Sequence, residues 1–226
     1  MKIGHHEISV DELESLIKNN PLASNLVKKA LATSYEDFVE LLYDDLDIVI
    51  NELEANPQHY FDDEEDKITH VIVSMLRMRN HKASQGTTSG GNVDITVDGP
   101  QQGWNWIGEA KIYKSLTDLN EGFLQLTTRY KNASPNHSMR GIVAYTKRPK
   151  AAELLADWHA ELEKKKLDGF ASSDCVRRGA LAFHTTHKDH STGLPVAIRH
   201  IAVCLHHLPK DKSGRSAAKY KGRDDD

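Results

Sequence analysis

The chain has little cysteine and no long apolar segment. Its 226 residues include only Cys175 and Cys204 as cysteines, too few for the disulfide framework of a small secreted domain. No stretch approaches the roughly 20 apolar residues that a membrane-spanning helix needs, and the first residues, MKIGHH, lack the apolar core of a signal peptide. We therefore expect a cytoplasmic protein with reduced thiols, long enough for one domain with a small appendage.

A strong positive charge, which is typical of nucleic-acid-binding proteins, is also missing, because the formal net charge is −4. The charge is unevenly distributed. Residues 1–66 contain 17 acidic and 4 basic residues, whereas residues 67–226 contain 16 acidic and 25 basic residues, so the two parts carry −13 and +9. A basic second part suits a phosphate-binding surface. Attraction between two parts of one fold, or shielding of a basic cleft by the acidic part, explains the same asymmetry.

Two runs in the basic part, residues 92–98 and residues 104–112, have the pattern of β-strands. Successive side chains of a strand point to opposite faces, so Glu109 and Lys111 are predicted to share one face. The intervening segment, GPQQG, has the composition of a turn. A hairpin would therefore bring Asp94 of the first run close to Glu109. The face of the first run opposite Asp94 would carry Val93, Ile95 and Val97.

Two carboxylates and one ammonium in one place suit metal-assisted hydrolysis of phosphodiester bonds. Mg²⁺ prefers oxygen ligands, and Asp94, Glu109 and the backbone carbonyl of Ala110 offer them. Lys111 would orient the attacking water or neutralise charge on the phosphate. The alternative is an ordinary cross-strand ion pair on an exposed surface. The apolar residues around Lys111 argue against that alternative, because charges in a buried strand are rare unless they are paired or functional.

These residues resemble the PD-(D/E)XK nuclease superfamily, which has the restriction-endonuclease-like fold. The matching residues are Asp94 in NVDITVDG and Glu109 and Lys111 in WIGEAKIYKS. A proline often precedes the first acid in that superfamily, and Val93 stands there in this chain. The resemblance implies an α/β (α+β) fold with a mixed central sheet flanked by helices. It also implies a nuclease that uses Mg²⁺ or Mn²⁺ to cut double-stranded DNA, in restriction or antiphage defence.

The segments on either side extend this resemblance. FDDEEDKITHVIVSMLR is predicted to form a helix over residues 61–79 and resembles the first core helix of the superfamily, so that Glu65 would support the metal and the catalysis. An acid in a first turn also suits the helix dipole without any catalytic role. LNEGFLQLTTRYKN resembles the helix after the catalytic strand, where Gln125 would contact the site. Arg129 and Lys114 are predicted to bind nucleic-acid phosphates, although Arg129 would equally suit an exposed helix surface.

We predict three segments. Residues 1–58 read as helices before the core, with Ser34 and Asp37 forming a capping box, and they would be regulatory, dimerising or partner-binding. Residues 59–208 would form the nuclease core, and residues 209–226 a disordered tail with basic and acidic residues. A catalytically silent or partner-regulated module of the same fold, binding nucleic acid or protein, is the alternative function.

The chain is rich in histidine, with 13 residues, which raises the alternative of a zinc site. The spacing does not match a zinc finger, and no pair of neighbouring cysteines exists. Incidental histidines are therefore the favoured interpretation. The residues from which such a site would be drawn are His184, His187, His190, His200, Cys204, His206 and His207.

Overall fold

The computed structural model describes residues 2–3, 6–7, 9–88, 91–130 and 133–210. The predicted tail lies outside the described residues from position 211 onward. Among the described residues, no helix has the length and apolar character needed to cross a membrane. The six α-helices of this part are α1 (Val10–Asn19), α2 (Pro21–Ala30), α3 (Tyr35–Ala55), α4 (Glu65–Met78), α5 (Leu116–Leu124) and α6 (Ala151–Lys164).

The strands of the described residues form one large sheet and two short hairpins. A π-helix, Gln125–Arg129, continues α5, and short 3-10 turns lie at Pro57–His59 and Gly179–Leu181. The strands are β1 (Lys2–Ile3), β2 (His6–Glu7), β3 (Lys82–Ser84), β4 (Thr87–Thr88), β5 (Asn92–Val93), β6 (Ile95–Asp98), β7 (Asn105–Ile112), β8 (Met139–Thr146), β9 (Ala171–Asp174), β10 (Ala182–Lys188) and β11 (Pro195–Cys204).

The central sheet has seven strands in the order β3-β6-β7-β8-β11-β10-β9, whereas β1–β2 and β4–β5 pair separately. Strand β8 lies parallel to both β7 and β11, and the other pairs of the central sheet are antiparallel. The predicted α/β class, with a mixed sheet flanked by helices, is therefore confirmed. Edge strand β9 was not predicted, because its side chains are all exposed and it lacks the apolar alternation that marks a strand.

Each face of the sheet has its own apolar core, because alternate residues of the central strands point to opposite sides. Helices α3 and α4 cover one face, which we call the α3 face, and α5 and α6 cover the other, the α5 face. The α3 face includes Leu42, Leu46, Ile72, Trp106, Ala110, Val143 and Ile201. The α5 face includes Ile107, Leu119, Phe123, Ile142, Trp158 and Ala202.

Helix α3 corrects the prediction of an N-terminal helical appendage. The predicted capping box is present, since the Ser34 and Asp37 side chains bond each other's backbone N–H groups. The helix itself is a layer of the core, and Leu42, Leu46 and Ile50 on it are fully buried. The apolar stripe of α3 is therefore buried against the central sheet, and the predicted boundary at residue 58 does not divide two packing units.

Two local predictions also need correction. Helix α4 begins at Glu65, four residues after the predicted start. The predicted strand over residues 92–98 is interrupted at Asp94, between β5 and β6. As a result Val93 packs on the α5 face, whereas Ile95 and Val97 pack on the α3 face, so these three residues do not share one side.

Candidate active site

Four of the predicted residues lie together: the carboxylates of Glu65, Asp94 and Glu109 surround the ammonium group of Lys111. Lys111 Nζ lies 2.7 Å from Glu109 Oε1, 3.5 Å from Glu65 Oε1 and 3.9 Å from Asp94 Oδ2. The three carboxylates and Lys111 are called the acidic cluster below. With every group ionised, three negative charges face one positive charge.

Strand geometry explains this convergence. Glu109 and Lys111 are two residues apart in β7, so both point to one face, as predicted. The antiparallel register pairs Ile95 with Gly108, which sets the preceding residue, Asp94, beside Glu109. Asp94 Oδ2 accepts a hydrogen bond from the backbone N–H of Ala110 at 2.9 Å. The break between β5 and β6 thus fixes one carboxylate against the backbone of β7.

Glu65 joins the cluster from the first turn of α4. Its Oε2 atom accepts the backbone N–H of Ile112, at the end of β7, at 2.7 Å. Its Oε1 atom faces Lys111. The residue therefore connects α4 to the central sheet and also adds a negative charge to the cluster, so the predicted metal-site acid has a structural contact as well.

Glu109 lies at the bottom of the cluster, with 1% of its surface exposed. The Tyr130 hydroxyl lies 2.6 Å from Glu109 Oε2 and 2.8 Å from the carbonyl of Asn92. The Gln125 amide satisfies both of its neighbours when its nitrogen faces Glu109 Oε1 at 2.7 Å and its oxygen faces Arg129 Nη1 at 3.2 Å. Both carboxylate oxygens of Glu109 are thus already held by protein donors.

Gln125 and Arg129 lie in the π-helix, a conformation that is frequent at functional sites. The buried Arg140 side chain donates from Nη1 to the Leu126 carbonyl at 2.5 Å. The hydroxyl groups of Thr127 and Thr128 donate to carbonyls four residues earlier, which competes with regular helical bonding. These bonds hold the widened turn that carries Gln125 toward Glu109.

Helix α5 approaches β7 closely because Gly122 has no side chain. A Cβ atom at this position would lie 3.0 Å from Lys111 Cγ and 3.3 Å from Glu109 Cγ. The start of the helix is fixed by a capping box between Ser115 and Asp118. The glycine therefore sets the distance between α5 and the two charged side chains of the strand.

The pKa values reflect the excess of negative charge. Burial and the nearby charge of Glu109 raise the pKa of Asp94 to about 7. Burial acts to lower the pKa of Lys111, but the hydrogen bond and charge of Glu109, with the charges of Glu65 and Asp94, raise it overall. Burial and Glu109 raise the pKa of the Tyr130 hydroxyl. Lys111 is therefore held as an ammonium, whereas Asp94 can carry a proton near neutral pH.

Of the two predicted phosphate-binding residues, Arg129 lies beside the cluster, because it contacts the Gln125 amide that holds Glu109, and Lys114 follows Lys111 by three residues in the chain. Arg129 is exposed, and its stem lies against Gly91, where a Cβ atom would come within 2.8 Å of Arg129 Cδ. Lys114 is exposed in the loop between β7 and α5. Among the described residues, neither side chain forms an ion pair with the three carboxylates.

The chemical type of the donors fits a hard divalent cation, since Asp94, Glu109 and the Ala110 carbonyl offer oxygen atoms only. Their present arrangement is less open. Within the described part of the chain, no group of three or more His, Cys, Asp or Glu side chains is arranged to hold a metal ion. The donors that hold Glu109 and the position of Lys111 between the carboxylates give a physical reason for that result.

Comparison with known proteins found no match: the chain matches no protein-family model, no curated protein and no solved structure.

Two contributors to the site were not predicted from the sequence. Tyr130 follows Gln125 by five residues, and a helical period of 3.6 does not place them together. Gln125 is the first residue of the π-helix and Tyr130 directly follows its last residue, and both side chains contact Glu109. Gly122 has a clearer signal, because a glycine inside an amphipathic helix usually has a packing reason.

The histidines do not form a second site among the described residues. His200 is fully buried, with Nδ1 accepting from Trp158 Nε1 at 3.1 Å and Nε2 lying 2.9 Å from the Thr185 hydroxyl. Burial lowers its pKa well below the usual value. His184 packs beside a ring of α3 and His187 beside a ring of α5, so these two lie on opposite faces of the sheet.

Proposed function

We propose that this chain is a metal-dependent nuclease of PD-(D/E)XK type that hydrolyses phosphodiester bonds in DNA. The observation that carries the proposal is the acidic cluster, in which Lys111 Nζ lies within 3.9 Å of Asp94, Glu65 and Glu109. Glu109 and Lys111 lie on central strand β7, Asp94 directly precedes the adjacent strand β6 and Glu65 lies in the first turn of a covering helix, which supports a restriction-endonuclease-like arrangement. Cytoplasmic restriction or antiphage defence is the context that the sequence resemblance implies.

Each residue has a definite task in this proposal. Asp94, Glu109 and the Ala110 carbonyl would hold Mg²⁺ or Mn²⁺, with Glu65 in support, and the cation would supply Lewis acidity toward the phosphate and a more acidic water. The Lys111 ammonium orients the attacking water and stabilises negative charge that develops on phosphorus-bound oxygens. Gln125 and Tyr130 hold the Glu109 carboxylate in a fixed orientation.

Access and charge favour a polymeric phosphate substrate. The Asp94 and Glu65 side chains are 23% and 32% exposed, so a phosphodiester can approach the cluster from solvent. Exposed Arg129 and Lys114 lie on either side of helix α5 in the chain and would contact neighbouring phosphates. The formal charge of +9 over residues 67–226 supplies long-range attraction.

Cleavage of supercoiled plasmid with Mg²⁺, with Mn²⁺ and with a chelator tests the proposal. Asp94→Asn and Lys111→Met should each lower the cleavage rate by about 10³-fold, because both remove transition-state stabilisation worth several kcal/mol. Asp98→Asn is the matched control, since Asp98 is an exposed acid at the end of β6, the strand that follows Asp94, and accepts a hydrogen bond from Asn105. Equal cleavage by Asp94→Asn and wild type would refute the site.

A second function is favoured by the saturation of Glu109, whose two oxygens are both held by protein donors. On that basis the chain would bind nucleic acid without cutting it. Fluorescence anisotropy with a labelled duplex separates the two functions. Binding that is unaffected by Asp94→Asn, with no cleavage in either metal, would favour the binding module.

A further inference from the structure

We propose that Lys111 competes with the divalent cation for the carboxylates, so that the protein carries its own counter-ion in the metal position and binds free metal weakly. This inference rests on the proposed function and concerns the regulation of the same site. It starts from the position of the ammonium, which contacts all three carboxylates of the acidic cluster rather than solvent or a single partner.

The hydrogen bonds of Glu109 show which group must move. Its Oε1 atom is held by Lys111 Nζ and by the Gln125 amide, each at 2.7 Å, and its Oε2 atom is held by the Tyr130 hydroxyl at 2.6 Å. Gln125 and Tyr130 belong to a turn that is braced by further hydrogen bonds. The Lys111 ammonium is carried on a flexible four-carbon stem, so it is the donor that can leave Glu109 at the smallest energetic cost.

Charge gives the direction of the effect. With Lys111 the ionised cluster has a formal charge of −2, and without it the charge would be −3. A divalent cation that binds to Glu109 must displace the ammonium or accept repulsion from it at close range in a partly buried site. Removal of the ammonium should therefore strengthen metal binding while it abolishes catalysis. A lysine that acted only in catalysis and did not contact these carboxylates would have a smaller effect on metal affinity.

Isothermal titration of the full-length protein with Mn²⁺ tests the inference without any turnover. Lys111→Met should bind Mn²⁺ about 10- to 100-fold more tightly than wild type, the range over which neighbouring groups change metal affinity. Lys111→Arg keeps a cation and should stay close to wild type. Lys188→Met is the matched control, because Lys188 is also paired with a carboxylate, Asp168, but lies on β10. It should leave the Mn²⁺ affinity unchanged.

Lys111→Gln provides a second neutral variant if the methionine variant does not fold, and the increase in melting temperature on Mn²⁺ addition provides a second readout. The inference is overturned if Asp94-dependent Mn²⁺ binding is present in wild type and neither neutral variant binds more tightly. A different result would refute the proposed function itself. In that result, Asp94→Asn does not reduce Mn²⁺ binding, whether it is introduced into wild type or into Lys111→Met. The two failures are therefore distinguishable.

Discussion

Two partly buried ion clusters in this protein have opposite charge ratios. In the first cluster, the carboxylate of Asp45 on α3 contacts three basic side chains. One comes from α2, and the other two come from the residues that follow α4. The three are Lys29, Arg79 and His81. In the acidic cluster, one ammonium contacts three carboxylates. The first cluster contains more than enough positive charge to balance its single acid, whereas the second contains too little positive charge to balance its three carboxylates.

The pKa values of the two aspartates show the consequence. Burial acts to raise the pKa of Asp45, but the hydrogen bonds from His81, Lys29 and Arg79 outweigh it and hold the pKa well below its usual range. Burial and Glu109 instead raise the pKa of Asp94 to about 7. A cluster that satisfies its charges internally stabilises the fold. The acidic cluster instead leaves negative charge uncompensated, a feature that is typical of functional sites.

The largest effect is expected for Asp45→Ala. This change leaves Lys29, Arg79 and His81 without the buried carboxylate that they share, and loss of one partner of a buried ion pair typically costs about 3–5 kcal/mol. Asp44→Asn is the control, because the neighbouring Asp44 is exposed and pairs with Arg177, a surface pair worth at most about 1 kcal/mol. Chemical denaturation measures both. The contrast between the clusters fails if the two variants lose similar stability.

The pH dependence of stability should have opposite signs in the two clusters. The unfolded pKa of Asp94 lies near 3.8 and the folded one near 7, so the folded state binds more protons and the stability falls as pH rises between these values. Three pH units correspond to up to about 4 kcal/mol. Asp94→Asn removes this loss and should be more stable than wild type at about pH 8, with the difference shrinking toward about pH 4.

Asp45 provides the comparison for that measurement. Its folded pKa is depressed, so its contribution is present above the unfolded value near 3.8 and is lost progressively as pH falls below that value toward the folded pKa. Denaturation curves recorded across the pH range for wild type and both aspartate variants separate the two contributions. An Asp94→Asn variant with no advantage at high pH would mean that the acidic cluster is not short of positive charge.

The extent to which the sequence predicted these clusters differs for a physical reason. Asp94, Glu109 and Lys111 lie on one hairpin, and strand alternation and register are local rules, so their meeting was predictable. The Asp45 cluster joins residues up to 52 positions apart in the chain, from Lys29 to His81, through the packing of α3. An amphipathic helix indicates which of its faces is buried but not what covers it, and this is also why α3 was mistaken for part of an appendage.

The π-helix and the interruption at Asp94 limited the prediction of side-chain directions. Sequence periodicity assumes regular elements. It therefore placed Val93 on the wrong face and gave no reason to bring Tyr130 beside Glu109. Glu65 was assigned from the resemblance to the superfamily, even though the helix begins four residues later than expected. The positions that local rules missed lie within the site itself, where regular structure is broken.

A smaller effect is expected for Gly122→Ala, which tests whether close packing compresses the acidic cluster. The added Cβ atom must displace Lys111 or Glu109, and overpacking typically costs about 1–3 kcal/mol, partly offset by up to about 1 kcal/mol of helix propensity. The cleavage rate should fall by more than the loss of folding stability alone explains, because the two shifted side chains belong to the proposed site. Glu121→Ala, at an exposed neighbouring position, should change neither.

The smallest effects should come from the two exposed cations beside the acidic cluster. Arg129→Ala and Lys114→Ala should each weaken DNA binding severalfold and reduce the slope of log affinity against log salt by about 1, as expected when one phosphate contact is lost. Lys28→Ala is the control, because Lys28 is an exposed lysine of α2, a helix that contacts α3 and so lies with the other ion cluster. Anisotropy titrations at several salt concentrations measure the slopes. If Lys28→Ala lowers the slope as much as Arg129→Ala does, DNA contacts both sides of the sheet to a similar extent. The proposal that the phosphate backbone lies at the acidic cluster would then be wrong.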